Sequence, residues 1–314
     1  MKLATPNGLI KTINDNFAAL AYSLPVDPIF VDTGVNASGN GLSWENAYKT
    51  MTEALAAAQT GGVIYFRGDV REECIGSNLV FDVTIRGTGF LHHPDLPAAG
   101  YDTGGAMWRP PASPTTATAL LEVRGRGWKF ENFSVDAPVD APAFKLVRNA
   151  LSGTSEYDAS HAQFIGIRGM AGQNFIADVG GCYNVTVDGC ELSQFSAMAI
   201  INTSTAVANP LNWKITNNIF PADTSDFGNV GHIDSPLNSA IIAGNIFGKV
   251  RSTGKYIDLT GGNNNIVASN VLGGEYDTSN YVPGTGDEWM QNVCAVTTTT
   301  APDGRSVAVP AAAG

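Results

Sequence analysis

The chain reads Ile215-Thr216-Asn217-Asn218-Ile219-Phe220, and it repeats this phrase as Ile242-Ala243-Gly244-Asn245-Ile246-Phe247 and as Val267-Ala268-Ser269-Asn270-Val271-Leu272. Each copy runs β-branched, small, small, Asn, β-branched, large apolar. The copies start 27 and 25 residues apart, and a related copy at 187–192 begins 28 residues earlier with Cys190 in the Asn position. Repeats of this length are typical of solenoids, in which each unit buries its apolar face against its neighbours.

A second series of segments precedes the copies in a fixed phase. Its members end a short apolar run with Asp or Asn: Ile176-Ala177-Asp178, Ile200-Ile201-Asn202, His232-Ile233-Asp234 and Tyr256-Ile257-Asp258. Each unit therefore holds at least two strands, and nothing in the repeat has a 3.6-residue period. The pattern predicts an all-β parallel β-helix with roughly eight or nine coils between residues 62 and 292. We interpret Asn218, Asn245 and Asn270 as a corner ladder, because Asn tolerates the left-handed region and bonds along a stack.

The composition excludes several classes of function. Only 15% of the 314 residues are charged, and the net charge of −11 disfavours a nucleic-acid or anionic-membrane surface. The first residues lack the apolar run of an export signal, so synthesis in a cytoplasm is expected. The four cysteines show neither CxxC nor zinc spacing and are interpreted as reduced, packed thiols. We expect no metal and no cofactor.

Residues 29–68 carry a family resemblance. A strand is predicted at 29–32, a glycine-rich loop at 34–43, an Ala-rich helix at 44–59 with Ser43 as its N-cap, and a buried strand at 63–66. This order resembles the N-terminal cap of pectate-lyase-like right-handed parallel β-helices, which occur in phage tailspikes and bacterial polysaccharide lyases. The resemblance implies a right-handed coil whose open end is covered by the helix.

Residues 1–28 are interpreted as a short helical anchor. Apolar residues at three- and four-residue steps predict one helical stripe, which includes Ile10, Ile13, Phe17 and Leu20. The segment 13–20, INDNFAAL, resembles INxNFxxL segments near the start of bacteriophage virion proteins such as head fibres and decoration proteins. An ordinary amphipathic cap helix is the alternative. Residues 29–292 form the predicted capped β-helix, and 293–314 an extended tail, either disordered or laid along a neighbouring subunit.

Two functional hypotheses follow from the resemblance. The first is a virion structural protein, a decoration, fibre or tailspike-like subunit that projects its β-helix from the particle and binds host-surface glycan. Its expected partners are further copies of itself, as a homotrimer, and capsid or tail proteins. The second is a polysaccharide depolymerase, a glycoside hydrolase or lyase, acting on host capsule or lipopolysaccharide. A bacterial adhesin is disfavoured because no export signal is seen.

An acidic column supplies the candidate catalytic residues for a depolymerase. Residues at one phase of successive coils share a face, which would place Asp234 and Asp258 about 5 Å apart and Asp178 about 10 Å from Asp234. Glycosidases use carboxylate pairs at such separations. The alternative is that each Asp begins a turn and bonds local backbone N–H groups. His232 precedes Asp234 by two residues and is a further acid–base candidate.

Aromatic residues in predicted turns are the candidates for stacking on sugar rings. Tyr276, Tyr281 and Trp289 fall in the irregular stretches near the end of the coil and are predicted to face a glycan or a partner. Trp128 and Trp213 lie at strand positions and are predicted to fill the core.

Overall fold

The computed structural model describes residues 26–90, 105–112, 119–149, 157–203, 209–221, 229–250, 255–275, 280–296 and 306–307. Across these ranges the chain winds into a right-handed parallel β-helix with one short α-helix, so the predicted fold class is confirmed. Eight strands of one sheet mark eight coils within them, in agreement with the repeat. The predicted anchor, with Ile10, Ile13, Phe17 and Leu20, lies outside the described residues.

Three parallel sheets run along the coil, and we name them A, B and C. Sheet A contains Ile29–Asp32, residues 63–66 of Val63–Arg71, Thr84–Gly87, Lys129–Glu131, Gln163–Ile165, Thr186–Asp188, Lys214–Thr216, Ile241–Ala243, Ile266–Ala268 and Glu288–Met290. Sheet B contains residues 68–71 of Val63–Arg71, Ala106–Arg109, Ser134–Asp136, Arg168–Met170, Glu191–Ser193, Ile219–Phe220, Ile246–Phe247, Val271–Glu275, Asn292–Val296 and Ser306–Val307. Sheet C contains Cys74–Ile75, Leu121–Val123, Pro142–Val147, Asn174–Val179, Met198–Asn202, Gly231–Asp234, Ile257–Asp258 and Tyr281–Val282.

The interior is built from side chains that repeat at one register position from coil to coil. In sheet A this inward column is Ile64, Ile85, Phe130, Phe164, Val187, Ile215, Ile242, Val267 and Trp289. In sheet C it is Cys74, Leu121, Phe144, Ile176, Ile200, Ile233, Ile257 and Tyr281. All are buried. Trp128 and Trp213 are buried too, as predicted.

The repeated Asn forms the predicted ladder at the corner between sheets A and B. Oδ1 of Asn245 accepts the backbone N–H of Asn218 at 2.9 Å, and Oδ1 of Asn270 accepts that of Asn245 at 2.9 Å. Each Nδ2 also donates to a buried carbonyl, as Asn245 does to Ile215 at 2.8 Å. Asn292 continues the ladder beyond Asn270. At the other end, Cys190 donates its backbone N–H to Asn218.

The left-handed backbone expected of the ladder Asn belongs instead to the residue before it. Asn217 and Ser269 both have φ of 56°, and Gly244 has φ of 67°. The turn residue can adopt this conformation because its own side chain need not enter the core. The ladder Asn does not adopt the left-handed backbone. Its side chain points into the interior, where the neighbouring residues of the ladder lie.

The cap helix is shorter than predicted. It spans Met51–Ala57 rather than 44–59, and its N-cap is Thr50, which forms a capping box with Glu53. Residues 43–49 do not extend the helix because the chain there is tied to the first strand. The N–H of Tyr48 donates to the carbonyl of Phe30, and its carbonyl accepts from Asp32. Met51 and Ala54 are buried in the main core cluster, so the helix packs on the start of the coil.

The other end of the coil is partly covered by the tail. Strand Asn292–Val296 crosses the predicted boundary at residue 292, and Ser306–Val307 pairs antiparallel with Asn292 and Val293. This pairing removes two positions from an open sheet edge. The remainder of 297–314 lies outside the described residues.

Replacing a ladder Asn removes hydrogen bonds that no water can supply. In Asn245→Ala, the N–H of Asn218 and the carbonyl of Ile215 each lose a buried partner. We expect a loss of about 2–5 kcal/mol in the free energy of unfolding, measured by urea titration. Lys214→Ala is the control, since Lys214 is exposed on a neighbouring strand, and should change stability by less than about 0.5 kcal/mol. Equal effects of the two substitutions would contradict the ladder.

Candidate functional site

The outward side chains of sheet C form one column along the rod. In register order this outer column of sheet C is Ile75, Glu122, Lys145, Ala177, Ile201, Asp234, Asp258 and Val282. Strands stack about 4.8 Å apart, so the distance from Glu122 to Asp258 is about 24 Å. Two charged pairs, Glu122 with Lys145 and Asp234 with Asp258, therefore occupy the column, and two uncharged side chains, Ala177 and Ile201, lie between the pairs.

Asp234 and Asp258 are direct register partners on adjacent coils. The predicted separation of about 5 Å between strands therefore applies to this pair. Asp258 accepts hydrogen bonds from Lys255 Nζ at 2.5 Å and from the Thr260 hydroxyl at 2.5 Å, and it also accepts the Thr260 backbone N–H at 3.0 Å. The turn-starting role that sequence analysis kept as an alternative is thus present at Asp258.

The environments of the two carboxyls push their pKa values apart. Burial and the neighbouring charge of Asp258 raise the pKa of Asp234. At Asp258, burial acts in the same direction, but the hydrogen bonds from Lys255 and Thr260 outweigh it and lower the pKa. Asp234 therefore holds a proton more readily, while Asp258 stays ionised. Such a division is how paired carboxylates acquire separate acid and base roles.

Asp178 does not belong to this column, and its predicted place beside Asp234 is wrong. Asp178 pairs in register with Asn202, whereas Asp234 pairs with Ile201. A shift of one residue turns a strand side chain to the opposite face. Asp178 is fully buried, and it accepts the N–H of Cys182 at 3.1 Å and the Nδ2 of Asn202 at 2.7 Å. Burial raises its pKa to about 6.

His232 is likewise an interior residue rather than a partner of Asp234. Its Nδ1 lies 3.3 Å from the Nδ2 of Asn229, and its Nε2 lies 2.9 Å from the carbonyl of Gly248. An amide donor at Nδ1 assigns the proton to Nε2, so the ring is neutral. Burial lowers its pKa to about 4. His232 and Asp234 lie two residues apart in strand Gly231–Asp234, yet the His232 ring is buried among aromatic rings, including Phe220 and Phe247, while Asp234 is exposed.

Two of the three aromatic residues predicted to stack on sugar rings are buried instead. Tyr281 lies in strand Tyr281–Val282 and Trp289 in strand Glu288–Met290, and both rings are buried. They end the inward columns of sheets C and A, so neither presents a face to a ligand. Tyr276 lies outside the described residues.

Two charged residues of the outer column, Glu122 and Lys145, were not predicted from the sequence. Glu122 accepts from Arg124 Nε at 2.6 Å and from Lys145 Nζ at 3.0 Å. Burial acts to raise the pKa of Glu122, but these two hydrogen bonds outweigh it and lower the pKa. A cavity of about 240 Å³ adjoins the pair, and Asp140, Gln173 and Asn174 are also in its lining. The sequence does contain a signal for them. Glu122 directly follows the inward Leu121, and Lys145 directly follows the inward Phe144, so both are expected to face outward.

Within the described ranges, no three His, Cys, Asp or Glu side chains come together as a potential metal site. No helix in that part of the chain has the length and apolar character needed to span a bilayer.

The chain is similar in fold to several solved β-helix proteins. The PL6 family alginate lyase AlyGC aligns with a TM-score of 0.51 and 14% identity over 85% of this chain and 35% of the lyase, so this chain spans about a third of that protein. ORF18 of Geobacillus virus E2 aligns over 97% of this chain and 67% of its own, with a TM-score of 0.47 and 12% identity. The tailspike protein of E. coli bacteriophage HK620 aligns over 86% and 53%, with a TM-score of 0.44 and 11% identity.

No protein-family model matches the chain, and no curated protein matches it by sequence. The structural similarity to the alginate lyase supports the parallel β-helix fold, and an identity of 14% carries no activity with it.

His232 and Asp178 predict opposite pH dependences of stability. The folded pKa of His232 is about 4 against an ordinary value of 6.5, so acid favours the unfolded state. Its contribution is complete above pH 6.5 and falls by about 3 kcal/mol towards pH 4. The folded pKa of Asp178 is about 6 against 3.8. Its contribution is complete below pH 3.8 and falls by about 3 kcal/mol as the pH rises to 6.

Urea unfolding of wild type, His232→Gln and Asp178→Asn between pH 4 and 7 separates the two effects. The stability of wild type minus that of His232→Gln should decrease towards acid, and wild type minus Asp178→Asn should decrease towards neutral pH. Two difference curves of the same slope, or two flat curves, would show that these groups are not buried as described.

Proposed function

We propose that the protein is a bacteriophage particle subunit whose β-helix binds a bacterial surface polysaccharide along the outer column of sheet C. The observation that supports this most is the column itself: a strip of about 24 Å from Glu122 to Asp258 with hydrogen-bonding side chains near both of these residues. Sugar hydroxyls both donate and accept hydrogen bonds, so Glu122, Asp234 and Asp258 suit them as acceptors and Lys145 as a donor. The strip is long enough for an extended oligosaccharide rather than a single sugar.

The virion part of the proposal rests on sequence. The INDNFAAL segment and the cap order at 29–68 resemble the corresponding regions of phage β-helix proteins. A particle subunit needs a scaffold that stays rigid outside the cell, and a parallel β-helix with a buried amide ladder supplies one. The acidic charge, −11 overall, also keeps such a protein soluble at high local concentration.

The cavity beside Glu122 and Lys145 is where the proposed contact with polysaccharide is deepest. Here a sugar ring would meet the amides of Gln173 and Asn174 as well as the ion pair. Amide and carboxylate groups together recognise neighbouring hydroxyls of one ring, because each can bond two partners. A neutral or mixed-charge polysaccharide fits better than a strongly anionic one, since Lys145 is already balanced by Glu122.

Cleavage of the polysaccharide is the second candidate function, and the Asp234–Asp258 pair favours it. Carboxyls about 5–5.5 Å apart are the arrangement of retaining glycosidases. Asp234, with the raised pKa, would protonate the glycosidic oxygen as that bond breaks. Asp258, held ionised by Lys255, would attack the anomeric carbon. Water then releases the sugar with Asp234 acting as base.

Binding is tested with an array of purified bacterial capsular and O-chain polysaccharides. Lys145→Ala should weaken binding of the recognised polysaccharide by about 10-fold or more, since a charged hydrogen bond contributes about 1.5–3 kcal/mol. Lys214→Ala is the matched control, an exposed strand lysine on sheet A, and should bind as wild type does. Recognition of no polysaccharide, or equal losses in the two variants, would refute the proposed surface.

Catalysis is tested separately by release of reducing ends from the polysaccharide that binds. Asp234→Asn and Asp258→Asn should each reduce the rate by about 100-fold or more while retaining binding. Glu288→Gln, at an exposed position of sheet A, is the control. Binding without any release in wild type would remove the hydrolase candidate and leave the binding role intact.

A further inference from the structure

The turn between sheets A and B lacks a side chain in two consecutive coils. Its left-handed position, with φ between 55° and 67°, is occupied in successive coils by Asn132, Gly166, Gly189, Asn217, Gly244, Ser269 and Gln291. Because Asn and Ser adopt this backbone elsewhere in the column, the fold alone does not require glycine at 166 and 189. A Cβ added at Gly166 would meet no atom within 4 Å, and one added at Gly189 would meet only the backbone N of Gly166 at 4.0 Å.

The second of these glycines opens into a cavity of about 200 Å³, which we name the glycine cleft. Its lining includes Phe90, Arg168, Gly189, Glu191, Asn217 and Ile219. Arg168, Glu191 and Ile219 are register partners in successive coils, about 4.8 Å apart. The guanidinium of Arg168 also lies 5.7 Å from the ring centre of Phe90. The cleft therefore has an apolar side chain at each end, Phe90 and Ile219, and an ion pair between them. Both apolar side chains are more than 40% exposed.

The polar wall of the glycine cleft has hydrogen-bonding capacity that the described part of the chain does not use. Arg168 donates from Nε at 3.0 Å and from Nη2 at 2.8 Å, and both bonds go to Oε2 of Glu191. Within the described ranges, Nη1 of Arg168 and Oε1 of Glu191 therefore have no protein partner. Asn217 donates from Nδ2 to Asp188 at 2.8 Å, which leaves its Oδ1 as a further acceptor. One donor and two acceptors thus adjoin the cleft.

We propose that the glycine cleft binds one ring of a neutral sugar and is a second carbohydrate site, separate from the outer column of sheet C. The inference goes beyond the polysaccharide strip and does not depend on it, since the residues that line the cleft lie at the corner between sheets A and B. A site for a single ring binds weakly by itself. On a cell-surface polysaccharide it adds to the binding by multivalency, because a second contact then forms at high effective concentration.

The arrangement of apolar and polar groups indicates the class of ligand. A sugar ring has C–H groups on its faces and hydroxyls around its rim. Phe90 and Ile219 would contact the faces, and the hydroxyls would bond Arg168, Glu191 and Asn217. The charges of Arg168 and Glu191 balance each other at 2.8 Å, so a neutral ring fits better than a charged one.

The size of the glycine cleft and the strand pairing around it exclude other ligands. At about 200 Å³ the cleft is smaller than the roughly 300–1,000 Å³ pockets that take drug-sized molecules, which limits it to one ring. An extended peptide would need a free sheet edge to which it could add as a strand. Strand Glu191–Ser193 is paired on both sides, with Arg168–Met170 and Ile219–Phe220, so it offers no such edge.

The test titrates the intact, isotope-labelled chain with the methyl glycosides of glucose, galactose, mannose, rhamnose and N-acetylglucosamine and follows chemical shifts by NMR. At least one glycoside should shift the backbone amide of Gly166 and the side-chain amide of Asn217 saturably. The exposed amide of Asn40, at the cap, should not move. Lys145→Ala should leave the two shifts unchanged, because Lys145 belongs to sheet C. The absence of shifts with every glycoside overturns the proposal, as does their loss in Lys145→Ala.

Variants within the turn column locate the binding. Gly189→Asn places over the glycine cleft a side chain that the same turn position already accepts at Asn132 and Asn217, and it should abolish the saturable shifts. Ser269→Asn, three coils further along the same column, is the matched control and should bind as wild type does. Phe90→Ala changes an exposed ring and should weaken binding several-fold, so the test does not rest on Gly189→Asn alone. Undiminished binding in Gly189→Asn or in Phe90→Ala, or an equal loss in Ser269→Asn, overturns the proposal.

Discussion

At the corner between sheets A and B, the backbone N–H of one coil points into the interior, where no water can reach it. The Asn of the next coil is its partner, and the amide of that Asn must in turn find two partners of its own. A buried amide left unpaired costs about 1–3 kcal/mol. Because each Asn satisfies its neighbours only when the coils are aligned, the ladder fixes the register of successive coils. In the coils that carry the ladder, from Cys190 to Asn292, every sheet inherits that alignment.

The register of the strands determines which side chains are exposed and can therefore contact a ligand. Asp178 and Asp234 both lie near the end of a strand of sheet C, yet a one-residue difference in pairing buries the first and exposes the second. The register also places Tyr281 and Trp289 in the core, at the ends of the inward columns of sheets C and A. What remains outside on sheet C is a strip with Glu122 and Lys145 at one end and the Asp234–Asp258 pair at the other.

The repeat predicted the fold class, the coil number and the ladder because those follow from the period and from residue type alone. It predicted the pairing of Asp234 with Asp258, since their coils have equal spacing. The repeat did not predict the position of Asp178 correctly. The connection between Asn202 and Lys214 is longer than in the other coils, and residue spacing alone does not reveal the one-residue offset in strand pairing that follows. The cap helix was overextended because the tie between Tyr48 and Phe30 is a tertiary contact. Tyr281 and Trp289 were misplaced because their strands, two and three residues long, resemble turns in sequence.

Hydrogen exchange of the side-chain amides tests the central claim, that the ladder holds the coils in register. In an NMR experiment on the intact chain, the Nδ2 protons of Asn218, Asn245 and Asn270 should exchange only with global unfolding, because both hydrogen bonds of each are buried. The exposed amide of Asn40 supplies the unprotected rate. Exchange of the three ladder amides at that rate would contradict the account, because the coils would then be aligned by something other than the ladder.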